Sequence, residues 1–551
     1  MPVITFGYED LIRLIGKEVP AEELISLIPM MGADFHHYDE ATGEMGIEFF
    51  PDRPDNYSVE GAARSLRAFL GLEGGLKRYP VCDSGIAMVV EESVDDVRPR
   101  VVAGVVRDVT MTDELIRSLM ELQEKVHLTV GRKRQKVSVG IHDLDMVAPD
   151  FVYKAVDPES ISFVPLAKEE SMNLREILQR HEKGIDYAYI LEGKPAYPII
   201  LDSNGEVLSF PPIINGRLTT VTESTRNIFI DVTGTDLGAI SGVLNIVATA
   251  ISERGARIET VTVKGRETLV TPALAPSEWD LSVEYANRWL GLDISPEEMA
   301  ACLERMGMEA RPEYGTLKVL VPATRMDVLH QVDLVEEVAK GYGYERFGSK
   351  LPEVQSIGSE RPIERTSDLV RQMMIGHGYF EVTTLTLSSR REQFAVLRLP
   401  PADAVEILNP ITEDHDCLRV SLLPSLLAVL RKSKHRDLPQ RVFEVGDVII
   451  ANKRSKHLAS VSIHAKASFT EVKSLAEGVM HDLDCEFQVE PCDLPTYIDG
   501  RGAYLMLEGK AVGHFGELHP EVVIAAELGY PVAALEVDLD AVMRGRILRL
   551  V

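Results

Sequence analysis

Cysteine is scarce in this chain and tryptophan scarcer, with five and two copies in 551 residues. Cys82, Cys302, Cys417, Cys485 and Cys492 are odd in number, scattered and free of any C-x-x-C pair, which excludes a disulfide framework and a thiolate zinc site. Reduced thiols are expected. No stretch approaches the roughly 18 apolar residues of a membrane helix, and the opening Met1-Pro-Val-Ile-Thr-Phe6 has no basic segment ahead of an apolar one. A cytoplasmic chain without membrane attachment is therefore expected. Positive charge is short as well: 58 Lys and Arg face 86 Asp and Glu, a net charge of -28. A protein that coats nucleic acid needs a dense basic surface, so any RNA contact must be local or shared with a partner. Two basic runs, Arg132 to Lys136 and Arg431 to Arg436, read first as a solvated loop or helix end and second as RNA contacts. Neither H-E-x-x-H nor a Ser-His-Asp order is present, and none of the 14 histidines is assigned to catalysis.

Apolar residues make up 45% of the chain, ample for burial, and the length implies about three to five domains. An internal repeat marks the first boundaries. Leu14-Ile-Gly-Lys-Glu-Val-Pro-Ala-Glu-Glu-Leu24 reads against Trp289-Leu-Gly-Leu-Asp-Ile-Ser-Pro-Glu-Glu-Met299. Each copy runs on to a Met-Gly pair (Met31-Gly32, Met306-Gly307), a proline (Pro51, Pro322) and an Arg-x-Asp (Arg53 to Asp55, Arg325 to Asp327). The pattern is that of a proline-opened helix, a glycine stop, a strand and a second helix. Between the copies, strand-like runs at 87–91, 101–106, 197–201 and 228–235 alternate with helical stripes at 112–126 and 237–252, an α/β module. Pro272 and Pro276 suggest a linker from there to the second repeat. Beyond residue 356 a helix over 366–378 leads into alternating strands and helices.

The second repeat carries Asp327, Asp333, Glu336 and Glu337 beside the apolar residues Leu334, Val335 and Val338. At about 3.6 residues per turn, the last three acids share an arc of roughly 100°. Such a cluster needs a cation or arginines to neutralise it. A hard cation such as Mg2+ is one reading, and a solvated first turn favoured by the helix dipole is the other.

The windows Val319 to Asp327 and Asp333 to Tyr344, with Leu351-Pro352, closely resemble the beta subunit of phenylalanyl-tRNA synthetase in its compact, archaeal-like form. Ile407 to Pro410, Leu418 to Pro424, Val442 to Gly446, Gly516 to Pro520 and, near the start, Pro51 to Gly61 match the family in order, so the resemblance covers nearly the whole chain. It implies an α+β multidomain fold: a repeat domain over 1–82, an α/β editing-type module over 83–265, a second repeat domain over 270–352, and an antiparallel-sheet domain over 356–551 like the class II synthetase core but without catalysis. Gly513 to Glu521, where that core should offer a phosphate-binding arginine, contains none. The resemblance further implies an alpha2-beta2 tetramer in which the alpha subunit joins phenylalanine to tRNA(Phe) with ATP, a structural Mg2+ at the acidic cluster, and hydrolysis of mischarged Tyr-tRNA(Phe) by the central module. Ser209 and Asn215 would hold the amino acid or terminal ribose, Asp231 an ammonium or hydroxyl, and Thr233 a water. The rival readings are a stand-alone class II synthetase and a free-standing RNA-binding or trans-editing protein.

Overall fold

Glycine and proline punctuation decides where the elements of the N-terminal segment begin and end. The computed structural model describes residues 2–351 and 356–544, so Met1, Pro352 and residues 545–551 of the expected domains lie outside the described residues. The chain divides into two compact units at residues 350 and 351.

In the first unit the two sequence repeats take one topology. Strand Val3–Gly7, helices Tyr8–Ile15 and Ala21–Leu27, strands Ala33–Asp39 and Glu44–Phe49, and helix Val59–Phe69 correspond to strand Ser277–Ser282, helices Val283–Leu290 and Pro296–Arg305, strands Glu309–Glu313 and Thr316–Val321, and helix Gln331–Tyr342. In each three-stranded sheet the last strand lies in the middle. The reversals fall at Gly32 and Gly307, both left-handed (φ +84° and +77°), a conformation that a side chain with a Cβ resists. Gly32 is doubly constrained, because a Cβ there would meet Lys340 Cε at 3.1 Å. The copies pack together through Arg305, whose guanidinium lies 4.7 Å over the Phe69 ring and donates to the Phe69 carbonyl at 3.4 Å, while also donating to the Gly341 carbonyl of its own repeat.

Between the repeats lies a ten-stranded mixed sheet. Helix Leu237–Ser252 packs on it and is apolar on nearly every side; its interior residues from Val243 to Ile251 are all buried, the signature of a core helix. The segment read as a linker is partly sheet: Thr268–Thr271 pairs with Arg257–Lys264, and Thr271 Oγ1 both accepts from the Ala103 amide and donates to its carbonyl. Pro272 packs where a Cβ on Gly104 would otherwise sit, 3.0 Å from its Cδ. The proline here therefore ends a strand by packing against the sheet.

The second unit is built on a seven-stranded sheet whose pairings are antiparallel except for Phe380–Glu381, which runs parallel to Gln440–Ile450. Helix Pro362–Gly376 starts four residues before the sequence pattern indicates, with proline at its first position, where the missing N–H is not needed. Glu444, on the Gln440–Ile450 strand, is buried and held by Arg419 Nη1 at 2.9 Å and Thr384 Oγ1 at 2.6 Å. No helix among the described residues is long and apolar enough to cross a membrane.

Candidate functional site

The Ile228–Gly234 strand lies in the sheet between Arg100–Arg107 and Val137–Asp143, with Asp231 opposite Gly140 and Thr233 opposite Ser138. That register explains Gly140. A Cβ there would come within 2.1 Å of Asp231 Oδ2 and 2.7 Å of His142 Nε2, so glycine leaves the space in which these two groups meet. His142 Nε2 lies 2.8 Å from Asp231 Oδ2, and its Nδ1 lies 2.7 Å from Thr219 Oγ1. All three are buried, and Phe229 flanks the imidazole with ring centroids 6.2 Å apart.

In front of this chain of hydrogen bonds is a cavity of about 370 Å3 whose wall includes Ser209, Asn215, Thr219 and Ser138, with Leu119, Ile141 and Pro211 to Ile213 as its apolar part. Ser209 Oγ donates to Asn215 Oδ1 at 3.2 Å, and Asn215 Nδ2 reaches the Ile141 carbonyl at 3.4 Å. A cavity of this size, mostly apolar with a few convergent polar groups, has the make-up of a small-molecule binding pocket.

Of the four residues assigned to hydrolysis from the sequence, the structure thus brings Ser209 and Asn215 together on the wall. Asp231 sits one layer back, behind His142. Thr233 does not line the cavity: its hydroxyl accepts from Arg98 Nε at 2.9 Å and its carbonyl from Arg98 Nη2 at 2.7 Å. Arg98 is fully buried, and burial pushes its guanidinium below the ordinary value. His142, Thr219 and Arg98 were not legible as site residues. The one local signal, for His142 alone, is the alternation Ser138-x-Gly140-x-His142 beside Asp231-x-Thr233, which puts His142 and Asp231 on one side of adjacent strands.

The basic run at 132–136 also differs from a solvated loop. Arg132, Lys133 and Arg134 all have positive φ, and the turn they make buries Arg134 in the cavity wall. Its guanidinium donates to the Ile213 carbonyl at 2.8 Å, pairs with Glu124 at 2.9 Å and stacks 4.4 Å from the Tyr187 ring. The second run closes helix Leu423–Lys432, where basic residues favour the carbonyl end.

Two internal cations pair with three of the four acids of the cluster. Arg325 holds Asp327 through two hydrogen bonds (2.8 and 2.6 Å) and Glu337 through a third (2.9 Å), and Lys340 reaches both Glu337 and Glu336 at 3.0 Å. Asp333 accepts from the Leu329 and His330 amides at 2.8 and 2.7 Å, closing the helix start. Leu334, Val335 and Val338 face the core as the pattern predicts, but Glu337 is only 2% exposed and lies inside with them. Burial pushes its carboxyl up, and Arg325, Lys340 and Arg53 together overcome this and hold it well below the usual range. Arg53 and Asp55 form the matching bidentate pair in the first repeat (2.9 and 3.0 Å), and Glu60 is taken by Arg254 and Ser118. Among the described residues no group of three or more His, Cys, Asp or Glu is placed to hold a metal ion. Of the four acids only Glu337 is buried, paired with Arg325 and Lys340; Asp327 and Asp333 are half-buried and Glu336 is exposed.

Three family models match the chain: the B3/4 domain over 99–261, the tRNA synthetase B5 domain over 279–344 and the phenylalanyl tRNA synthetase beta chain CLM domain over 348–539. Two of the three are synthetase modules by description. Among curated proteins the chain is 44% identical to the phenylalanine–tRNA ligase beta subunit of Methanothrix thermoacetophila, over 98% of this chain and 100% of that one. It is 45% identical to the beta subunit of Archaeoglobus fulgidus, over 98% of each. Residues spanning 62% of the chain superpose on 99% of an N-terminal fragment of the Pyrococcus horikoshii phenylalanyl-tRNA synthetase beta subunit, at TM-score 0.60 and 37% identity. The chain belongs to the phenylalanine–tRNA ligase beta-subunit family.

Proposed function

We propose that this chain works in the cytoplasm as the beta subunit of an alpha2-beta2 phenylalanine–tRNA ligase, leaving ATP-dependent attachment of phenylalanine to the alpha subunit and itself hydrolysing Tyr-tRNA(Phe). The observation that carries the assignment is similarity over the full length of both chains at 44–45% identity. It favours the division into two repeat domains (1–82, 270–352), an editing-type module (83–265) and a non-catalytic class II-like domain (356–551).

The cavity at Ser209 and Asn215 supports the hydrolytic part. A pocket for phenylalanine discriminates weakly against an added hydroxyl, so accuracy requires a second site that binds that hydroxyl and is left with unpaired polar groups by phenylalanine. Substituting Asp231, which reaches the cavity wall through His142, with alanine is expected to slow Tyr-tRNA(Phe) deacylation by the tetramer by roughly tenfold or more while phenylalanylation continues. Full deacylation in this variant together with full deacylation in Ser209→Ala and Asn215→Ala would move the site elsewhere in the module. A free-standing trans-editing protein would instead stay monomeric when mixed with the alpha subunit, which size exclusion reads directly.

Magnesium enters this reading with ATP at the alpha subunit, since Mg2+ is held by few carboxylates together with substrate phosphates. Internal cations on Asp327, Glu336 and Glu337, and backbone amides on Asp333, favour a closed network over a metal site. Adding MgCl2 is accordingly expected to move the melting temperature of parent and Glu336→Gln chains equally. A Mg2+ stabilisation present in the parent and lost in the variant would reinstate the metal, because a bound ion stabilises the folded form by mass action.

A further inference from the structure

Asp231 does not line the cavity, yet it is joined to the wall by two hydrogen bonds through a single side chain. Its carboxylate can only accept, so His142 Nε2 carries the proton it donates across 2.8 Å. In the neutral imidazole Nδ1 is then an acceptor, and the group 2.7 Å away is the hydroxyl of Thr219, a residue of the cavity wall. Two acceptors lie within reach of the Thr219 hydroxyl, His142 Nδ1 at 2.7 Å and the Gly216 carbonyl at 3.4 Å, and the shorter contact directs the O–H to His142. Ser209 and Asn215 line that same cavity. Gly140 adds a second observation: any side chain there would displace both Asp231 and His142, so the sheet is built around this contact.

We propose that Thr219, His142 and Asp231 form a proton relay that activates the water attacking the aminoacyl ester; the proposal rests on the hydrolytic reading of the cavity given above. A water on Thr219 Oγ1 gives its proton to that oxygen as Thr219 passes its own to His142 Nδ1. The water oxygen bonds to the ester carbonyl carbon as the C=O π pair moves onto the carbonyl oxygen, and the imidazolium is stabilised by Asp231. When the tetrahedral intermediate collapses, the bond from carbonyl carbon to ribose oxygen breaks. The ribose oxygen takes the proton back from His142 by way of Thr219, so free amino acid and tRNA leave and the relay is restored. Thr219 touches the water and is catalytic in this scheme. His142 and Asp231 act through it, which is how a carboxylate one layer behind the wall controls chemistry in front of it.

The test is Tyr-tRNA(Phe) deacylation by the reconstituted tetramer. Thr219→Val keeps the side-chain shape and removes the hydroxyl; kcat is expected to fall by about 100-fold or more with KM little changed. Thr219→Ser restores the hydroxyl and is expected to recover kcat to within about tenfold of the parent. Because the residues act as one chain, Thr219→Val combined with His142→Asn should be no slower than Thr219→Val alone, whereas two independent structural losses would multiply. Unchanged melting temperatures report that the variants fold. If Thr219→Val hydrolyses like the parent while Ser209→Ala or Asn215→Ala is impaired, the relay is wrong and the cavity assignment stands. Multiplicative losses in the double variant likewise overturn the relay. If the parent itself does not hydrolyse Tyr-tRNA(Phe), the cavity assignment falls and the relay with it.

Discussion

Incubated with phenylalanine, ATP and labelled pyrophosphate, the purified chain will exchange no label, and addition of the alpha subunit will bring exchange up. The reason lies in the second unit. An adenylation site stabilises charge developing on a triphosphate with cations fixed in advance. Here the strand Lys510–Leu518 and its partner Val532–Asp538 border a cavity of about 260 Å3 whose polar wall consists of Ser421, His457, Tyr504, His514, Glu536 and Asp538. Among the described residues no arginine or lysine lines it. Glu536 is bound by His457 Nδ1 at 2.9 Å and by the Leu422 amide at 3.1 Å, which fixes a carboxylate on this wall. Burial pushes the Glu536 carboxyl up and its bonds to His457 hold it down, which keeps it ionised. Arg419, the buried arginine nearest this chemistry by sequence, is spent on Glu444. Exchange by the chain alone would show a working nucleotide site and return the stand-alone synthetase to consideration.

The second large effect concerns stability. Arg325→Met removes the centre of the buried ion network between the repeats and leaves Asp327 and Glu337 with too little positive charge. Breaking a buried pair in this way costs about 3–5 kcal/mol, because the surviving charge stays desolvated. The denaturant midpoint of the full chain should fall accordingly. Adding Glu337→Leu to the same chain should give part of the loss back, since an apolar pair of similar volume escapes the desolvation penalty. The pH dependence has a definite sign. Asp55 and Glu337 are both held below their ordinary values of 3.8 and 4.5. Their contribution is complete above those values and is lost as pH falls through the depressed folded ones. Arg325→Met should therefore flatten the acid limb of the stability profile. A variant as stable as the parent, with an unchanged acid limb, would mean that the network is energetically idle.

What the sequence made legible follows from how far apart the cooperating residues are. The repeat could be read because each copy places its prolines, glycines and Arg-x-Asp within a short span, and those residues fix local backbone geometry whatever surrounds them. Helix Leu237–Ser252 and strand Tyr197–Leu201 came out with matching limits because their apolar patterns are local. The relay is different. His142 meets partners 77 and 89 residues away, so no spacing along the chain marks it. The acidic cluster was visible, but its counter-ions were not: Arg325 lies 12 residues before Glu337, and only the fold turns it inward. Arg134 looked like one cation in a surface run because positive φ at three successive residues with ordinary side chains has no compositional signature.

The central claim is that this chain supplies hydrolysis and its partner supplies synthesis. The most direct measurement is the rate at which the reconstituted tetramer deacylates Tyr-tRNA(Phe) and Phe-tRNA(Phe) side by side. The account predicts rapid loss of tyrosine, slow loss of phenylalanine, and a tyrosine rate that collapses in the Asp231→Ala tetramer. Equal rates for the two esters, or a tyrosine rate no faster than spontaneous hydrolysis, would contradict it.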